Sequence, residues 1–195
     1  NAPHESGNYV SRLLVQQGMI ETRQSMFLDS VGNAFAANPF KNLIIVDDCV
    51  GSGDQLREFW KSAKVPIEGA LIPLSAFCLE KRIKAYYLTL FGYDQSIAKL
   101  NEEFNDLDVC CVRTLSDSQR IFSENSYVWA NNTEREKAID LFSTLTKEHG
   151  IPLYGYKNLD FAFIMHQTIP DWSLPLFWQE MPGWNLLMRR KNSNV

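Results

Sequence analysis

The chain has 195 residues, 45% hydrophobic and 22% charged, enough to bury roughly 70% of the unfolded surface in one core, so one domain over residues 1–195 is expected. A formal charge of −4 without blocks of like charge gives no electrostatic reason to expect a nucleic-acid groove or an anionic membrane surface. Neither a secretory leader nor an apolar run of about 18 residues is present, which argues against a membrane partner and for the interior of a longer protein.

The cysteines are Cys49, Cys78, Cys110 and Cys111. They form no CxxC pair, and neighbours such as Cys110 and Cys111 seldom bond to each other, so a reduced, cytoplasmic setting is expected. His4, His149 and His166 stand far apart, without the short ligand spacings of structural zinc. No protein-bound metal is expected.

In chain order, Tyr9, Val10, Leu13 and Leu14 share a helical stripe over residues 9–17, and Met26, Phe27, Val31, Ala34 and Phe35 share another over residues 26–35. Asn38-Pro39 breaks the pattern, and residues 43–46 read as a strand buried on both faces. Leu56, Phe59 and Trp60 place a helix over residues 55–64. Residues 67–80 fit a strand or a helix equally well. Residues 85–91 read as a strand, 94–104 as a helix, 108–112 as a strand, 134–148 as a helix and 161–166 as a last strand. This alternation predicts an α/β fold with a three-layer, mainly parallel sheet. Residues 168–195, where Pro170, Pro175 and Pro182 alternate with Trp172, Trp178 and Trp184, should wrap the domain in extended form.

The chemistry concentrates in NLIIVDDCVGSGDQLREFW, which joins a strand to a helix through two acids and a Gly-Ser-Gly turn. Ligands of α/β sheets sit at the carboxyl ends of such strands. Gly51 and Gly53 let the backbone approach a ligand, and the amides opening the next helix suit a phosphate. Asp47 and Asp48 can accept hydrogen bonds from vicinal ribose hydroxyls. The turn lacks the Gly-Lys-Ser/Thr ending of a triphosphate loop, so a phosphate monoester fits it best. Ser52 and Gln55 also read as a capping box for the helix. Cys49, beside two acids, reads as a packed thiol, and His166 as a hydrogen-bonded strand end.

Here the residues resemble a family. LIIVDDCVGSGDQ is similar to the phosphoribosyl pyrophosphate motif of type I phosphoribosyltransferases. The resemblance assigns the ribose hydroxyls and catalytic role to Asp47 and Asp48. It assigns the 5-phosphate to Val50, Gly51, Ser52, Gly53, Asp54 and Gln55. Ser6-Gly7-Asn8, ahead of the first helix, resembles a remnant of the family's pyrophosphate loop. PDWSLPLFW at residues 170–178, followed by Gly183-Trp184 and Arg189, resembles the phosphoribosyltransferase-like (PRTase-CE type) effectors of bacterial conflict systems.

The resemblance implies a phosphoribosyl pyrophosphate or nucleotide ligand, substrate-borne magnesium, and an anti-phage role with a partner protein of a defence system. Trp172, Trp178 and Trp184 are candidates to stack a nucleobase, weighed against covering a core edge. The common motif has Gly and then Thr or Ser where this chain has Asp54 and Gln55. A carboxylate in a phosphate cradle repels the anion unless it faces away. Residues 18–41 offer only Arg23 and Lys41 to neutralise pyrophosphate, which leaves a non-catalytic nucleotide sensor as the alternative. A haloacid-dehalogenase-like phosphatase needs an acid two residues after its nucleophile, where this chain has Cys49 or Val50.

Overall fold

The structure, a computed structural model, describes residues 6–165 and 169–189. The chain divides into two compact units, Asn1–Thr114 and Leu115–Val195.

The first unit is α/β. Its elements are α1 (Ser6–Gln16), α2 (Val31–Ala37), β1 (Asn42–Val50), α3 (Asp54–Ser62), β2 (Lys64–Ile67), β3 (Ala70–Pro73), α4 (Leu74–Lys81), β4 (Lys84–Tyr93), α5 (Asp94–Glu103) and β5 (Leu107–Leu115). The strands β1, β4 and β5 form a parallel sheet in that order, flanked by helices. Asn42 lies opposite Lys84 and Val50 opposite Gly92. Parallel neighbours need crossovers, and the stretch from α3 to α4 and then helix α5 supply them.

The core follows from the apolar stripes of these elements. Leu56 and Trp60 of α3, Leu74 and Phe77 of α4, Ala85 and Tyr87 of β4, Leu100 of α5, and Leu107 and Val109 of β5 form one buried cluster. Polar groups at its margin are satisfied. Trp60 Nε1 donates to Asp106 at 3.3 Å, and the Asn101 amide exchanges two hydrogen bonds with the Val109 backbone, at 2.7 and 3.0 Å.

Three expectations for this unit change. Strand β1 is not buried on both faces: Ile44 is 58% exposed, because the core packs against one face of the sheet. The second helix opens only at Val31, after a 3-10 turn at Leu28–Ser30 in which the Ser30 hydroxyl donates back to the Phe27 carbonyl at 2.8 Å. The undecided stretch is strand first and then helix. β2 and β3 form a hairpin whose two turn residues, Glu68 and Gly69, both have positive φ, and α4 follows directly.

The second unit is built on α6 (Asn132–His149). Asn131 caps it by accepting from the Glu134 amide at 3.0 Å, and Gly150 ends it at φ 64°. Ile121, Phe122, Ile151, Leu174 and Leu176 form the core with Phe142, Tyr154 and Trp184 packed against them. Asp160, fully buried, accepts from Arg120 Nε at 2.6 Å and from the Phe122 amide at 2.5 Å. The expected strand at 161–166 reduces to bridges from Phe161 to Arg120 and Ser173, since its aromatic side chains pack on Trp172 instead of extending a ladder. His166 lies outside the described residues. Within the C-terminal stretch, Pro175–Phe177 forms a 3-10 turn, and Leu174 and Leu176 are core residues.

Candidate functional site

The sheet register brings the acidic end of β1 beside β4. Asp47 is 8% exposed, and its two oxygens have distinct partners. Oδ1 accepts from the Asp48 amide at 2.9 Å, and Oδ2 accepts from the Tyr87 hydroxyl at 2.5 Å. Burial, reinforced by the Asp47 charge, pushes the Tyr87 phenol well above its ordinary range. Asp48, next along the strand, is half-buried.

Beyond the acids the chain turns sharply. Val50, Gly51 and Gly53 are buried, Ser52 and Asp54 half-buried, and Gln55 exposed. Gly53 caps α3 in the left-handed region at φ 82°, where a Cβ would come within 2.9 Å of the Leu100 side chain. Glycine answers both the conformation and the space. The Ser52 hydroxyl accepts from the Asp54 amide at 3.2 Å. The expected Ser52–Gln55 capping box is therefore replaced by a tighter serine turn, because the cap position belongs to Gly53. Helix geometry leaves the Gln55 and Leu56 amides without intrahelical acceptors in the first turn of α3.

Asp54 resolves the concern that its charge raised. Its carboxylate accepts from Arg57 Nη1 at 3.0 Å, and the same nitrogen donates to the Ser52 carbonyl at 3.1 Å. Glu103 on α5 anchors Arg57 Nε at 2.6 Å and Lys61 at 2.8 Å. Hydrogen bonds from Lys61 and then Arg57 hold the Glu103 carboxyl below its usual range. Asp54 is thus tied along the helix, paired with a cation.

The other candidates are placed as follows. Ser6, Gly7 and Asn8 form the first turn of α1 rather than a loop ahead of it. Gly7 packs on β1 so closely that a Cβ would lie 2.5 Å from the Val46 carbonyl, one residue before the acids. Trp172 is 4% exposed, stacked on Phe163 and edge-on to Phe161, both at 5.2 Å, so it presents no face to a nucleobase. Trp178 Nε1 donates to the Ser173 carbonyl and Trp184 Nε1 to the Leu176 carbonyl, while the Trp184 ring lies 5.0 Å from His149. Trp184 also packs against the core of the second unit. Cys49 is half-buried and forms no disulfide. Among the described residues, no three His, Cys, Asp or Glu side chains are grouped to hold a metal, and no helix is long and apolar enough to cross a membrane.

Two contributors were not identifiable from sequence. Tyr87 sits in an aromatic strand that reads as plain core, and Arg57 on an exposed helical repeat. The parallel register brings Tyr87 to Asp47, and the α3–α5 contact brings Arg57 to Glu103.

The PRTase-CE family model matches residues 1–190. No curated protein and no solved structure matches the chain. Matched over nearly its whole length, with twin acids leading into a glycine-capped helix, the chain belongs to the PRTase-CE family and is a phosphoribosyltransferase-like domain.

Proposed function

We propose that this domain binds phosphoribosyl pyrophosphate or a nucleoside monophosphate at the β1–α3 turn, and that it serves as a nucleotide-targeting effector in bacterial conflict or anti-phage defence. The observation that carries the ligand class is the turn itself. Gly53 opens α3 in a left-handed conformation, and Arg57 holds the Asp54 carboxylate, leaving first-turn amides suited to a phosphate. In this reading Val50 to Gln55 cradle the 5-phosphate, and Asp47 and Asp48 face the ribose. Both acids can stabilise positive charge developing at C1 in an oxocarbenium-like transition state. Magnesium travels with the pyrophosphate as part of the substrate, held by its oxygens, ribose hydroxyls and water. The defence role rests on the family alone.

Calorimetry with phosphoribosyl pyrophosphate tests the ligand assignment. The Asp47→Asn/Asp48→Asn double variant should lose at least about tenfold in affinity, since each acid supplies charge-assisted hydrogen bonds. Unchanged affinity rejects the assignment.

A second reading is a nucleotide sensor without turnover. Its support is that Arg57, the basic side chain closest along the chain to the turn, is engaged by Asp54, Glu103 and the Ser52 carbonyl, and so is committed to the scaffold. Binding without pyrophosphate release, when candidate bases are supplied, selects this reading over the transferase.

A further inference from the structure

The Asp47 carboxylate is held by a group on another strand. Along β4, Tyr87 lies opposite Ile45, and Thr89 lies opposite Asp47. Side chains at alternate positions share a face, so Ile45, Asp47, Tyr87 and Thr89 all point to the same side of the sheet. The residue directly beside Asp47 is not its partner. Thr89 is 1% exposed and its hydroxyl donates to the Phe91 carbonyl at 3.0 Å. Tyr87 instead reaches forward along the sheet by two residues, about 6.6 Å of strand, to donate to Oδ2 at 2.5 Å. The ring is 4% exposed and fixed in the core cluster, so the hydroxyl is delivered from a rigid platform.

A carboxylate at a strand end has free rotation about its terminal bond unless something holds it. Here the two oxygens are pinned separately, one by the Asp48 amide and one by the Tyr87 hydroxyl, which sets the carboxylate plane.

We propose that Tyr87 is a positioning residue: its hydroxyl fixes the Asp47 carboxylate in the orientation that receives a ribose hydroxyl. The proposal rests on the sugar-phosphate reading above. It predicts selective harm. Losing the hydroxyl leaves the α3 turn and its phosphate donors as they are, while the diol-binding acid loses the group that holds its Oδ2.

The test uses the full chain and Tyr87→Phe, which keeps the buried ring and removes one oxygen. Phosphoribosyl pyrophosphate and inorganic phosphate are titrated calorimetrically into wild type, Tyr87→Phe, Asp47→Asn and the double variant. Tyr87→Phe should weaken phosphoribosyl pyrophosphate about tenfold and inorganic phosphate less than twofold. In the Asp47→Asn background the further loss from Tyr87→Phe should shrink below twofold, because the two residues act as one unit.

Equal loss for both ligands, or full additivity of the two substitutions, overturns the positioning role in favour of general destabilisation. Unchanged affinity in Tyr87→Phe, with wild type binding normally, overturns the role while leaving the sugar-phosphate site standing. Absence of binding by wild type brings down the site and the role together.

Discussion

Gly53 shows how one residue joins conformation to packing. Its φ of 82° is open to glycine and costly for other residues, and the space beside it is filled by Leu100 of α5. Gly53→Ala therefore meets backbone strain and a side-chain contact at once. The expected cost is about 1–2 kcal/mol, read as a lower denaturation midpoint at unchanged slope. On the proposed phosphate reading, phosphate affinity should fall with it, because the amides of the first turn of α3 shift. Asp54 carries the complementary lesson. A carboxylate in this turn conflicts with an anion only if it faces the anion, and the geometry instead assigns it to Arg57. The motif's glycines and twin acids were readable along the chain. The Arg57–Glu103 and Tyr87–Asp47 contacts were not, because those partners lie 46 and 40 residues apart in sequence.

At the scale of elements, hydrophobic period placed α1, α3, α5, α6, β1, β4 and β5 to within a few residues. It failed where turn chemistry decides. Residues 67–80 form a continuous apolar run, and period alone gives no break in it. The break comes from Glu68-Gly69, which can take the positive φ of a two-residue hairpin, and from Pro73 at the start of α4. The end of α4 offers a prediction. Arg82 terminates it in the left-handed region at φ 55°, with its amide on the Cys78 and Leu79 carbonyls. A glycine there makes the same cap without the Cβ penalty. Arg82→Gly should stabilise the protein, read as a raised melting temperature, because the left-handed penalty of about 1–2 kcal/mol that it relieves exceeds glycine's added entropic cost of about 0.5–1 kcal/mol. A lower one refutes this account of the cap.

For the molecule as a whole, alkaline pH is the condition that the buried ionisable groups single out. Burial, with Asp106 nearby, pushes the Cys78 thiol from 9.0 up to about 11, and Tyr87 is shifted in the same direction. Both groups are acids whose folded value is raised. Their neutral forms fit the fold, so the contribution is complete below the unfolded value and lost as pH rises toward the folded one. For Cys78 that window runs from 9.0 to about 11. Urea melts at pH 8 and pH 11 should show a smaller loss of stability for Cys78→Ala than for wild type, although the variant begins less stable. An equal loss refutes a buried thiol as a source of the alkaline limb.

The chain by itself determined its class, the order of most elements and the motif that marks the turn, because periodicity, glycine placement and paired acids are local properties. Tertiary structure alone decided which acid is buried, what holds it, that Glu103 anchors Arg57, and that Trp172 belongs to a core. Each of those depends on strand register or helix packing between distant residues, and such contacts leave no periodic trace along a single sequence.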